Sequence, residues 1–317
     1  MSFASGSALP PPDFEVASVF PEAAWLRQAA AARDWASIRQ YVDGLPREVS
    51  RSFAVGVLDA VPGIEGWMRE ILAATPDDVL ALTVLGAREV VIGWEIRTSA
   101  SAKDVSREQF AGLHAHLRQA EQRLIRATAL DPSSDAAWAE RLTTAKGLEL
   151  GQNEARRRYD RLAAHHPHHF NGQGRLLQQL CPKWGGSWEA AHGFARECLL
   201  NSPEGAVNGA MVAEVHMEHR LALRGQERDA YLRQAHVHAE LAEAAERSVL
   251  HPHFRRDYGW VIAQSAFAAM FSLVGDLARA AACFRALGPF ASKYPWSYLG
   301  DPAAAFVKHR DAALAKG

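Results

Sequence analysis

One stretch of the chain, residues 132–167, reads PSSDAAWAERLTTAKGLELGQNEARRRYDRLAAHHP. Apolar residues recur in it at helical spacing, within a background of Ala, Leu, Glu and Arg that favours helix. Gly151 interrupts the pattern near its middle, and a proline stands at each end. Because glycine and proline commonly end helices, the stretch predicts two antiparallel helices joined by a short turn.

Prolines recur at a similar spacing beyond this stretch. The intervals from Pro132 to Pro167 and from Pro167 to Pro203 are 35 and 36 residues, the length of a helical-hairpin repeat. A single hairpin cannot bury its apolar face alone, so neighbouring hairpins must stack. No alternating strand pattern is evident. The sequence therefore predicts an all-α fold, a right-handed superhelix of about seven antiparallel helical hairpins.

A small residue and an aromatic residue mark the second helix of these units. We expect both to be buried between hairpins, Ala190 with Phe194 and Ala280 with Phe284. Ala155, Tyr159 and Pro167 stand at the spacings of the second-helix alanine, aromatic residue and closing proline of the tetratricopeptide repeat, and Ala190 and Phe194 match similarly. The chain thus resembles a degenerate tetratricopeptide-like protein. This resemblance implies an α-solenoid whose concave surface binds a partner.

A second resemblance covers roughly residues 85–200. It rests on the segments GWEIR (93–97), VSRE (105–108), LRQA (117–120) and PKWGGS (182–187). These look like a bacterial family of helical-repeat proteins of unknown function with a Pro-Lys-Trp-Gly-Gly-Ser signature. The resemblance implies the same fold and assigns no chemistry.

Composition narrows the classes of partner and compartment. The 35 Lys and Arg balance 36 Asp and Glu, for a net charge of -1, so a nucleic-acid partner is not expected. There is no apolar run of membrane-spanning length and no secretory signal pattern, so we expect no membrane partner and a cytoplasmic location. Three cysteines without a Cys-x-x-Cys pair indicate neither a disulfide framework nor a zinc knuckle.

The domain organisation follows from the same patterns. Residues 1–20 are rich in Ser, Ala and Pro and predict a poorly ordered N-terminal arm. Residues 21–317 predict a single helical-repeat domain. It closes with a capping helix over 302–315, because Asp301 suits an N-cap and Pro302 the first helical position.

The interval from Pro203 to Pro252 is 49 residues, which breaks the repeat and predicts two longer helices over 204–224 and 226–249. Insertions in a solenoid often map to the binding face. We therefore predict one groove near the KW pair of the PKWGGS segment that binds a protein or peptide. Its candidate residues are Lys183, Trp184, Asn208, Glu214, His216, His219, Tyr258 and Gln264.

Other interpretations of this region remain open. The usual phosphate-loop, dinucleotide, zinc-protease and esterase motifs do not occur, and whether the chain is an enzyme is left uncertain. His216 and His219 share a helix face that Glu240 or His236 could meet, so a small-molecule or metal-dependent enzyme between the two long helices is the alternative. Hydrogen-bonded core histidines are the plainer interpretation, and an oligomeric scaffold is a third possibility. No cofactor or metal is assigned.

Overall fold

The structure, a computed structural model, describes residues 9–46, 50–99 and 102–317. These residues form helices and loops, and they include no β-strand beyond an isolated bridge between Asp13 and Phe290. The all-α prediction is confirmed. No helix within the described ranges is long and apolar enough to cross a membrane.

The chain divides into two compact units, and the division falls inside one helix. Phe20–Phe194 form the N-terminal unit. The C-terminal unit combines Ala195–Gly317 with the described residues 9–19, which include the short helix α1 (Val16–Val19). Residues 1–8 of the predicted arm lie outside the described residues, and the single repeat domain stays a prediction.

Among its described residues, the N-terminal unit contains the starts of ten helices, and the last of them, α11, contains the division between the units. They are α2 (Glu22–Ala31), α3 (Trp35–Asp43), α4 (Ser52–Asp59), α5 (Ile64–Ala74), α6 (Val79–Arg97), α7 (Arg107–Leu130), α8 (Asp135–Gly147), α9 (Gln152–Ala163), α10 (Phe170–Leu180) and α11 (Trp188–Asn201). Short 3-10 turns occur at Ala102–Asp104 and Pro182–Trp184.

Short polar residues set where several helices begin. The carboxylates of Asp34, Asp78 and Asp276 each accept a hydrogen bond from the backbone N–H three residues later. Ser106 and Gln109 form a reciprocal capping box at the start of α7. Such caps satisfy N–H groups that have no partner inside the helix.

Within the N-terminal unit the helices pack in a repeating order. Each even-numbered helix from α2 to α10 packs against the next even-numbered one, and α6 to α9 also pack each on its successor. From α6 to α9 this is the order of two hairpins side by side, because the first helices of successive pairs become neighbours. One consequence for the site is that α4, α6, α8 and α10 share a face.

Burial tests the register of the second helices. Tyr159 and Phe194 are buried, and their rings meet edge to face with centroids 5.2 Å apart. The expectation for Ala190 is wrong, because it is exposed and Ala191 is buried instead. Since α11 begins at Trp188, the face that carries Phe194 also carries the residue three positions earlier, which is Ala191.

The C-terminal unit contains the remaining helices and a 3-10 turn at Val207–Gly209. The helices are α12 (Ala210–Ala222), α13 (Gly225–Leu232), α14 (Ala235–Arg247), α15 (Trp260–Val274), α16 (Leu277–Leu287), α17 (Lys293–Trp296) and α18 (Pro302–Lys316). Helix α12 packs against α14 and α15, and α16 packs against α15 and α18.

The two long helices predicted over 204–224 and 226–249 are wrong. The first is a 3-10 turn followed by α12, and the second is split into α13 and α14. Leu232 and Val237 are both buried but five residues apart, a spacing that would place them on different faces of one straight helix. His238 stabilises the break, because its Nε2 lies 2.8 Å from the carbonyl oxygen of Leu232 at the end of α13.

Helix α18 starts where the sequence predicts. Asp301 accepts a hydrogen bond of 2.9 Å from the backbone N–H of Ala304, and Pro302 is the first helical residue. The helix extends to Lys316. Its buried Phe306 meets Phe284 of α16 edge to face, with centroids 5.3 Å apart, so α18 covers an apolar face of that helix.

The described N-terminal residues are bonded to this same unit. The Asp13 N–H donates to the carbonyl of Pro289 (2.7 Å), and the Asp13 carbonyl accepts from Ala291 (2.8 Å). The guanidinium of buried Arg310 donates to the carbonyl of Pro10 (2.6 Å). These bonds place the segment that precedes α1 against α18 and the loop after α16.

Candidate functional site

The residues predicted to form a groove fall in both units. Lys183 and Trp184 lie in a 3-10 turn of the N-terminal unit, where Lys183 is exposed and Trp184 half-buried. The Lys146 ammonium lies 5.1 Å from the ring centroid of Trp184 and 5.3 Å from that of Trp94, and the two rings meet edge to face. Trp184 thus joins a cluster in which a cation packs between two indoles.

His216 is the most enclosed of the predicted residues in the C-terminal unit. Its Nδ1 lies 2.6 Å from the Tyr231 hydroxyl and its Nε2 lies 3.0 Å from a carboxylate oxygen of Glu240. An ionised carboxylate only accepts, so Nε2 of the neutral ring carries the proton and Nδ1 accepts from the phenol. Burial and the charge of Glu240 raise the pKa of Tyr231, which keeps that hydroxyl a donor.

The remaining polar residues of α12 carry perturbed pKa values. Burial, with the charge of Glu218, raises the pKa of Glu214 to about 8, although part of its surface reaches water. Burial, with the charges of His216 and His236, lowers the pKa of His219. The His219 ring lies 4.4 Å from the Tyr231 ring, centroid to centroid, so the structure brings His216 and His219 together around one phenol.

Asn208, Tyr258 and Gln264 lie elsewhere in the C-terminal unit. Asn208 and Gln264 are buried, and Tyr258 is half-buried. The Gln264 side-chain amide donates to the carbonyl of Val249 (3.0 Å), a bond that holds α15 to the end of the preceding segment. This contact explains Gln264 as a structural residue.

Ser50, His169 and Asp135 resemble a nucleophilic triad by composition. The Ser50 hydroxyl lies 2.9 Å from His169 Nε2 and 2.7 Å from Asp135 Oδ2, and the same Nε2 lies 3.3 Å from Asp135. A catalytic histidine uses its two nitrogens for the two partners. Here Nδ1 accepts the backbone N–H of Gly172 and caps α10, so the arrangement is structural.

Glu121 is the centre of a buried ion network in the N-terminal unit. Its carboxylate accepts hydrogen bonds from the guanidinium groups of Arg141 and Arg158, each at 2.9 Å, and from the hydroxyl of Thr144. These residues come from α7, α8 and α9. Arg158 also pairs with Glu154 of α9 (2.7 Å), so each guanidinium of the network has a carboxylate partner. The network therefore holds α7, α8 and α9 together and presents no unpaired charge to a ligand.

A cleft of about 450 Å³ opens on the face shared by α4, α6, α8 and α10. Its volume lies in the range of ligand sites in proteins. Apolar side chains form one part of its lining and charged side chains the other. The lining residues are Asp59, Val90, Val91, Trp94, Glu95, Thr98, Ser99, Glu140, Thr143 and Arg175.

Asp59 is the most perturbed group of this cleft. Only 9% of it is exposed, and no hydrogen bond reaches its carboxyl from the residues that the structure describes. Burial and the charge of Glu140 raise the pKa of Asp59 to about 8, against the opposing charges of Arg175 and Arg88. Asp59 therefore stays largely protonated at neutral pH, whereas Glu140 forms an ion pair with Arg175.

Sequence reasoning missed this cleft. Asp59, Glu140 and Arg175 belong to no motif, and only their places on alternate helices bring them to one face. The signal that points to it is the order of the helices, because repeat arrays present the first helix of each pair on one side.

Comparison with known proteins assigns no role to these groups. No protein-family model matches the chain. No curated protein matches it in sequence.

Proposed function

We propose that the chain is a recognition scaffold, a right-handed superhelix of tetratricopeptide-like hairpins that binds a protein or peptide in a groove on its first-of-pair helices. The observation that supports this proposal most directly is that α4, α6, α8 and α10 line one cleft. Stacked hairpins present their first helices on a common side, and repeat proteins use that side to bind extended partners.

The lining of the cleft suits recognition. Val90, Val91 and Trp94 supply apolar surface, and Glu140 with Arg175 supplies a fixed ion pair beside it. Binding sites commonly combine an apolar wall with a few placed polar groups, because burial provides affinity and polar contacts provide orientation.

A cleft-filling substitution tests this function. Thr143 is half-buried on α8 and lines the cleft, so Thr143→Trp blocks it without removing a core side chain. Phage displaying random peptides are selected on the immobilised full chain, and the enriched peptides are titrated by fluorescence anisotropy. We expect Thr143→Trp to weaken them by at least about tenfold, or about 1.4 kcal/mol.

The matched control places the same side chain on another face. Gln119 is exposed on α7 and is not among the lining residues, so Gln119→Trp should leave the affinity unchanged. Equal loss in both variants, or none in either, contradicts a groove on the first-of-pair helices. The groove predicted from sequence is tested by titrating the same peptides into a variant in which His216 and His219 are both changed to Ala.

A small-molecule or metal-dependent enzyme in the C-terminal unit is the second candidate. The observation that favours it is the chain from Glu240 through His216 to Tyr231, in which an imidazole bridges a carboxylate and a phenol as a general base often does. Elemental analysis of the purified protein separates the candidates. One equivalent of metal that is lost in His216→Ala supports the enzyme, and metal-free protein that still binds peptide supports the scaffold.

A further inference from the structure

We propose that the cleft lined by α4, α6, α8 and α10 binds a cationic side chain, the guanidinium or ammonium group of an Arg or Lys in a partner peptide, against the carboxylates of Asp59 and Glu140. This inference rests on the proposed function and names the chemistry that the groove recognises.

The strongest argument is the position of Asp59. The side chain lines the cleft, is about nine-tenths buried, and receives no hydrogen bond from any residue in the described part of the chain. A buried carboxylate without a partner is costly, so such groups keep a proton or acquire a cation. An incoming guanidinium supplies both the missing charge and the missing donors.

The charges around Asp59 favour a cation over an anion. Three lining side chains are acidic, namely Asp59, Glu95 and Glu140, and Arg175 is already paired with Glu140. On α6, Arg88 faces Asp59 but donates to Glu65 (3.1 Å) and to the backbone carbonyl of Asp59 (3.3 Å). Arg88 also lies 4.0 Å from Glu95, so its charge is shared between Glu65 and Glu95. Among the described lining residues, Asp59 is thus the acidic group without an ion-pair partner.

The apolar part of the lining suits the stem of a basic side chain. Val90, Val91 and Trp94 stand beside the carboxyl groups. Lys and Arg bury their methylene groups against apolar surface while the charged end meets a polar partner. The cleft of about 450 Å³ has room for such a side chain together with neighbouring peptide groups.

Binding a permanent cation must release a proton. Asp59 enters the reaction as a neutral carboxyl and ends as a carboxylate paired with the ligand, and its proton passes to the buffer. Since its pKa in the empty cleft is about 8, we expect the apparent affinity to rise by up to about tenfold per pH unit below that value and to level off above it.

Isothermal titration calorimetry on the full chain tests this coupling. The probe is an acetylated, amidated peptide with Arg between Ala residues, and peptides with Glu or Gln in its place are compared. Titrations at several pH values, in buffers of different ionisation enthalpy, give the affinity and the protons released. We expect the Arg peptide to bind, its affinity to rise with pH, and about one proton to leave per peptide at the acidic end.

Asp59→Asn removes the titrating group while keeping the shape of the protonated carboxyl. We expect this variant to fold, to bind the Arg peptide at least about tenfold more weakly at alkaline pH, and to lose the pH dependence. Asp160→Asn is the matched control, because Asp160 is an exposed carboxylate on α9 that pairs with Arg156, and it should behave as the wild type.

The outcomes separate this inference from the proposed function. Tighter binding of the Glu peptide, or an unchanged pH dependence in Asp59→Asn, overturns the inference. If the selected peptides lack Arg and Lys yet remain sensitive to Thr143→Trp, the scaffold stands and the inference fails. If butylguanidinium alone binds with the expected pH dependence but no peptide binds, the cation chemistry stands and the peptide scaffold fails.

Discussion

The Nδ1 atom of His216 lies 2.6 Å from the hydroxyl oxygen of Tyr231, and both side chains are buried. Because Glu240 holds the opposite ring nitrogen, the phenol is the donor and the imidazole the acceptor. A buried acceptor that loses its donor carries the cost of desolvation. The hydrogen bond from Tyr231 to His216 therefore stabilises the folded protein.

Tyr231→Phe is expected to lower the free energy of unfolding by about 1–3 kcal/mol, because it leaves the imidazole nitrogen buried without a donor. Urea denaturation followed by circular dichroism measures the change. Tyr298→Phe is the matched control, since Tyr298 is 45% exposed, and it should shift stability by less than about 0.5 kcal/mol. Equal effects at the two tyrosines would show that the bond to His216 contributes nothing.

His219 should make the protein less stable in acid. Burial and the neighbouring His216 and His236 lower its pKa below the ordinary 6.5, so the unfolded chain takes up a proton that the folded chain resists. The stability contributed by the neutral ring is present above pH 6.5 and is lost as the pH falls below it.

We expect His219→Gln to flatten the decline in unfolding free energy between about pH 7 and pH 5. The measurement is a series of urea denaturations across that range. His253 is an exposed histidine of the same unit, and His253→Gln should keep the slope of the wild type. A slope in His219→Gln that equals the wild-type slope would place the acid sensitivity elsewhere.

Glu214→Gln should raise the free energy of unfolding at neutral and alkaline pH. The folded-state pKa is about 8 against an ordinary 4.5, so between these values the unfolded chain has released a proton that the folded chain retains. Stability therefore falls as the pH rises, by up to about 1.4 kcal/mol per unit, and the neutral amide removes this loss. Denaturation at pH 4 should give Glu214→Gln and the wild type equal free energies of unfolding, and denaturation at pH 8 should give the variant the higher value. The exposed control Glu227→Gln should match the wild type at both pH values.

Glu121→Ala should destabilise the N-terminal unit strongly. The substitution leaves the buried guanidinium groups of Arg141 and Arg158 without their carboxylate, and breaking such a network costs about 3–5 kcal/mol. Glu70→Ala breaks an exposed ion pair with Arg33 and should cost less than about 1 kcal/mol. Chemical denaturation of both variants checks the contrast, and similar losses would contradict the buried network.

Local patterns were sufficient for most of the helices. Asp301 and Pro302 predicted the start of α18, because an N-cap and a preset backbone angle act over one turn of chain. Phe194 and Phe284 are buried as their helical spacing predicts. Helix propensity, capping and apolar periodicity depend on neighbours within a few residues, so they can be read directly from the sequence.

Tertiary packing decided what those patterns left open. Helix α14 is separate from α13 because Leu232 and Val237 are both buried, which one straight helix would not allow. No glycine or proline stands between them to predict the break. The cleft arises because Asp59, Glu140 and Arg175, which lie on helices far apart in the chain, meet on one face. The raised pKa of Asp59 has the same origin, since desolvation and the charge of Glu140 exist only after the helices pack.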